Sequence, residues 1–221
     1  CKRHRCNPLV GHIHEYRLSI LAWEKNSYNN NIIVPYIGSF PVLAPKPFNK
    51  RKIFILNTAK NRTAKCVFCS VCNRFTNNDT CLINCKNIRP QIYKTLDHYK
   101  KDNAIVTKFS GEGVKLMSSS RFCLMPPGDT VTRAGIYQAI KSHCIPVFFT
   151  GSRTSEQLAF SNIIDYNKIY VTVDENVDFV AQIKQISEKR IQEHLGHIKK
   201  LAKIIESPLC YLLNEVYFHK A

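Results

Sequence analysis

Short apolar runs, bounded by proline, glycine or polar clusters, recur along the chain and alternate with stretches of helical spacing. IIVPY at 32–36, KIFILN at 52–57, AIVTKF at 104–109 and RFCLM at 121–125 have the β-branched and aromatic content of buried strands. A further strand is expected over 165–173, and another at the end of the stretch 120–149. Helices are expected over 88–99, entered through Arg89-Pro90 at the first turn, and over 132–142. A last long helix should start near Val177, because Phe179, Val180, Ile183, Ile186, Ile191, Leu195, Ile198, Leu201, Ala202 and Ile205 recur at roughly helical spacing. Gly196 interrupts it and Ser207-Pro208 stops it. Strands alternating with helices predict a doubly wound α/β domain with a mostly parallel sheet.

Residues 120–149, SRFCLMPPGDTVTRAGIYQAIKSHCIPVFF, read as strand, loop, helix and strand. In an open parallel sheet, ligands bind beyond the carboxyl ends of the strands, where such loops lie. Gly128 can take a positive φ in the sharp turn. Thr130 or Thr132 can cap the helix, whose free amides and dipole suit a diphosphate. Arg133 in the first turn adds a charge-assisted contact. On these residues alone, a plain capped helix is the better explanation of the stretch.

The net charge of +16, from 32 basic and 16 acidic residues, fits either an anionic partner or a solubilising surface. The basic residues are spread along the chain and are densest over 189–203. Ten cysteines and two glycosylation sequons, at Asn61 and Asn78, favour an oxidising secretory lumen. Cys66, Cys69, Cys72, Cys81 and Cys85 cluster in a 58–85 insert, and two readings stay open for them. One is a disulfide-stapled loop; the other is a structural zinc site. Cys123 and Cys144 are expected to serve packing. No apolar run is long enough to cross a membrane. The chain lacks an initiator Met, so an upstream anchor or domain is expected to have been cut away.

The string FCLxPxGDTxT…AIxxxCIPVFF resembles the exostosin family of glycosyltransferases, whose core reads approximately FCLxPxGDTxxSRRLFDAIxxGCIPV. IIVPY at 32–36 is similar to the family's VVVPY-like strand, 52–56 to its LLFF-type strand, and Ile88-Arg89 to its IR-containing helix start. Residues 158–166, LAFSNIIDY, are similar to its ELPFxxxIDY stretch. The likeness runs from about residue 30 to 206. It divides the chain into a remnant of an upstream region (1–30), an exostosin-like nucleotide-sugar-binding domain (31–206) and a C-terminal tail (207–221).

The resemblance implies a Rossmann-like domain, the C-terminal half of a GT-B glycosyltransferase that transfers a hexose or pentose with inversion. The implied partners are a UDP-sugar donor and a glycan acceptor, with acidic polysaccharide among the candidates. Nucleic acid is not expected, and the membrane is engaged only through an upstream anchor. The implied location is the Golgi lumen, as a type II membrane protein. No cofactor is required, because the helix N-terminus and basic groups stabilise the leaving diphosphate. The implied donor-site residues are Gly128, Asp129, Thr130, Thr132, Arg133, Gln138 and Glu156, with the base in the N-terminal half. Departures from the pattern are Ala134 and Gly135 in place of two arginines, and Gln138 in place of an acid. They point to weakened nucleotide binding. The competing reading is therefore a catalytically inactive exostosin-like module, or one that binds zinc or polyanions.

Overall fold

The computed structural model describes residues 43–61, 79–107, 110–126, 134–150, 158 and 164–206, with side chains only from residue 88 onward in the helix over 79–98. Five strands, β1 (Ile53–Asn57), β2 (Ala104–Val106), β3 (Ser120–Leu124), β4 (Ile145–Phe149) and β5 (Val171–Val173), form one sheet in the order β2-β1-β3-β4-β5. Every pairing is parallel. The sheet can be parallel because its strands are apolar on both faces, as IPVFF in β4 shows by being buried at every position. Pro146 is tolerated inside this strand. Val147 directs its carbonyl to Met125 beyond β3, so the nitrogen of Pro146 faces the β5 side, where pairing begins only at Val147.

The helices are α1 (Asp79–His98), α2 (Gly111–Met117), α3 (Ala134–Lys141), α4 (Phe179–Lys184) and α5 (Glu188–Glu206). Right-handed crossovers put α1 on one face of the sheet and α2 and α3 on the other. α5 joins α3, burying Ile191, Leu195, Ile198, Leu201, Ala202 and Ile205. Each fully buried aliphatic side chain there contributes about 1.5–3 kcal/mol. α4 lies with α1: Tyr99 donates to Asp178 and Lys184 pairs with Asp102. This is the α/β, Rossmann-like architecture expected for one half of a GT-B enzyme.

Several elements differ from expectation in extent. α1 starts at Asp79, so Pro90 lies inside the helix and not in its first turn. Proline is most at home at a helix start, which is why the sequence suggested a boundary there. The 165–173 strand contracts to β5, because Asp165 accepts the Asn167 amide at 3.1 Å and caps a 3₁₀ turn over Tyr166–Lys168. The last helix divides in two. Asp178 accepts the amides of Val180 and Ala181 to start α4, and Ser187 accepts that of Arg190 at 3.4 Å to start α5. The expected strand at 32–36 lies outside the described residues.

At the amino edge of the sheet, α3 ends in a Schellman motif: Cys144 N–H donates to Ala139 and His143 N–H to Ile140, both at 2.9 Å. His143 takes the left-handed position, φ 54°, where the exostosin pattern has glycine. Arg51, only 3% exposed, locks this corner by donating to the carbonyls of Lys46 (2.9 Å), Ser120 (2.8 Å) and His143 (2.7 Å). Burial lowers its pKa to about 10. Cys123 and Cys144 do more than pack. They form a disulfide between β3 and the residue before β4, closing the β3-α3-β4 unit.

Candidate functional site

The chain leaves β1 toward β2 in one direction and leaves β3 toward β4 in the other. The carboxyl ends of β1 and β3 therefore flank the crevice where such sheets bind ligands. On the β1 side, Asn57 is 1% exposed and its Oδ1 accepts the Ala59 amide at 3.2 Å, while its carbonyl accepts the Thr107 amide at 2.9 Å. The first bond turns the chain off the strand, the second extends the β1-β2 ladder, and Thr58 is buried beside them. On the β3 side, Met125 stays tied to Val147 at 2.8 Å, so Pro126 is the first residue free of the sheet.

Of the expected donor-site residues, Gly128, Asp129, Thr130, Thr132, Arg133 and Glu156 lie outside the described residues. The two ends of the loop that carries the first five are described: Pro126, leaving β3, and Ala134, opening α3. Gln138 is described and is 1% exposed in the second turn of α3. Ala134 and Gly135 are buried as well. The first turn of α3 therefore packs inward at the two positions where the exostosin pattern carries arginine.

The far wall of this edge is acidic, which the sequence reading missed. Glu175, 5% exposed and just past β5, accepts the Thr150 hydroxyl at 2.8 Å, and its carbonyl accepts Gln91 of α1 at 2.5 Å. A few residues along α1, the Tyr93 hydroxyl donates to the Ala59 carbonyl at 2.7 Å. α1 is thus fastened to the carboxyl edge at both β1 and β5, and Arg89 is buried at 6% exposure less than a turn before Gln91. The available signal was position: Asp174-Glu175 follows a strand end directly, yet it reads equally as the acidic start of the last helix.

Among the described residues, no group of three or more His, Cys, Asp or Glu side chains could hold a metal ion. Cys66, Cys69 and Cys72 lie outside them; Cys81 and Cys85 fall on α1, in the part whose side chains are not described. No described helix is long and apolar enough to cross a membrane.

A five-stranded parallel sheet of this order, covered by helices, defines an α/β domain of the Rossmann-like class. Residues 17–189 match the Exostosin GT47 domain, and the chain belongs to that family. Among curated proteins it is 40% identical over 95 residues to a protein named "Probable xyloglucan galactosyltransferase GT12" of Arabidopsis thaliana, covering 42% of this chain and 19% of that one. It is 42% identical over 65 residues to "Probable xyloglucan galactosyltransferase GT15" of the same plant, covering 28% and 13%. To "Probable arabinosyltransferase ARAD1", also of Arabidopsis thaliana, it is 30% identical over 97 residues, covering 42% and 21%. The match thus spans about a fifth or less of each relative's length.

Proposed function

We propose that this chain is the donor-binding domain of a glycosyltransferase that takes a hexose or pentose from a UDP-sugar and passes it to a glycan with inversion. The observation that carries the reading is the strand order, in which the chain leaves β1 and β3 in opposite directions, so that the buried Asn57 turn and the start of α3 fall at the switch point where such sheets bind ligands. Thr130 and Thr132 would offer hydroxyls to the diphosphate and Arg133 its charge, with Gly128 and Asp129 shaping the turn. Gln138 and Glu156 would contact ribose or sugar. The leaving diphosphate would be stabilised by amides and basic groups and not by a metal cofactor. A base in a facing domain would deprotonate the acceptor hydroxyl for in-line attack. The family and its named relatives support glycosyl transfer, and the cysteine content and sequons support a lumenal setting such as the Golgi.

A thermal-shift panel of UDP, ADP and GDP against the chain tests the donor class. Stabilisation by UDP above the other two is expected. Equal response to all three, or to none, would remove the donor assignment.

A further inference from the structure

The edge of the sheet opposite the donor crevice is strongly basic, and the donor reading leaves that charge unused. Lys46, Lys50 and Lys52 are exposed on the segment that enters β1. Backbone bonds bring this segment against neighbouring elements: Lys46 N–H donates to Ser118 at 3.2 Å, next to the last turn of α2, which carries exposed Lys115. The Arg51 bond to His143 brings it against the end of α3, where half-buried Lys141 sits. Lys199 of α5 is close enough for its charge to act on the His143 ring.

Four separate elements thus converge six lysines on one edge. None of the six is in an ion pair among the described residues. Among the described residues, the carboxylate of Glu206 also acts on His143. By contrast, Asp97, Asp102 and Asp165 elsewhere on this edge are each already paired with a lysine.

We propose that this amino edge binds an acidic polysaccharide, a chain bearing sulfate or carboxylate groups, at a surface separate from the donor crevice. Repeating anionic groups suit lysines set along an edge whose strands are about 4.8 Å apart. Among its described residues, the surface lacks what two other polyanion classes use. Its aromatic group, Phe48, is already committed: the guanidiniums of Arg51 and Arg121 lie over its ring, each 5.7 Å from the centroid, and Phe122 packs against it edge-on. It is not a free platform for nucleic-acid bases. For a lipid surface the described apolar anchors are few: Leu43 is exposed near the patch, while Val106 is the last residue of β2 and Val177 lies past β5, both at the carboxyl edge.

The test uses the full chain, with a heparin dodecasaccharide and polygalacturonate as probes and uncharged dextran as control. Lys46→Ala/Lys50→Ala removes two charges from the edge; Lys60→Ala/Lys94→Ala removes two from the exposed surface past the carboxyl end of β1 and on α1. The first variant should weaken binding at least tenfold and flatten its salt dependence, with the second within twofold of wild type and both keeping the wild-type melting temperature. Equal losses in the two variants would reduce the effect to net charge and overturn the proposal. So would tighter binding to single-stranded polynucleotide or phosphatidylserine vesicles than to either acidic probe.

Discussion

Thr150, the residue after β4, donates its hydroxyl at 2.8 Å to the carboxylate of Glu175, the second residue after β5. Thr150 is exposed and Glu175 is buried, so the bond fastens a surface residue of the carboxyl edge to an acid held inside it. Gln182 reinforces the same turn, accepting the Asp174 amide and donating to its carbonyl, both at 3.0 Å. The carboxyl edge is thus braced at β5 before any ligand arrives.

Glu175→Ala should cost about 1.5–3 kcal/mol, the range for a hydrogen bond to a charged group. Glu175→Gln keeps an acceptor for Thr150 and should cost less. Urea denaturation of both variants compares them; equal losses would show that the bond to Thr150 contributes nothing.

Removing the Arg51 guanidinium strands three carbonyls at the amino edge. Arg51→Met should destabilise by about 3 kcal/mol, since buried acceptors lose their donors. Arg51→Lys should recover under half of that, because one ammonium cannot reproduce the fork. A full rescue by lysine would mean that the charge, and not the three-way geometry, holds the corner.

Two backbone positions carry non-optimal residues. His143 is left-handed without being glycine, so His143→Gly should stabilise by up to about 1 kcal/mol, less whatever its half-buried ring contributes. Gly196 lies within α5, and a Cβ there would meet nothing within 4 Å. Gly196→Ala should therefore stabilise by about 0.5–1 kcal/mol. Chemical denaturation reads both; a loss at Gly196→Ala would contradict the open space around it.

His194 is 4% exposed on α5, with Nδ1 3.0 Å from the Lys168 carbonyl. Burial lowers its pKa, a tendency that the Lys168 bond opposes and Arg190 reinforces. The unfolded chain therefore takes up a proton first as pH falls, and stability drops below about pH 6.5, the ordinary histidine value. His143 is shifted the same way, chiefly by burial and then by Arg51. His194→Gln should shrink, without abolishing, the fall in melting temperature between pH 7 and pH 5. An unchanged fall would exclude His194 from the acid response.

The sheet was legible because its strands are unbroken apolar runs, and 52–57, 121–125 and the IPVFF run locate three of the five directly. What escaped depends on tertiary context. Ser187 looks like any polar residue on a helix surface until it caps one, and Pro90 marks a helix start more often than an interior. His143 carries no sign that it replaces a left-handed glycine except its place in the exostosin pattern. Cys123 and Cys144 are apolar enough to pass for core, and only the β3-β4 pairing reveals that they meet. In the candidate site the helix that follows β3 was legible from its apolar spacing, while Gly128, Thr130 and Thr132, read as its turn and cap, lie outside the described residues. Glu175 could not, because it reaches the site only through the fold.

The central claim is a donor pocket at the entrance to α3, and titration calorimetry with UDP tests it most directly. Wild-type chain should bind UDP, and Thr132→Ala/Arg133→Ala should bind at least tenfold more weakly while melting within about 2 °C of wild type. UDP binding of equal strength in both proteins, or none in the wild type, would contradict the account.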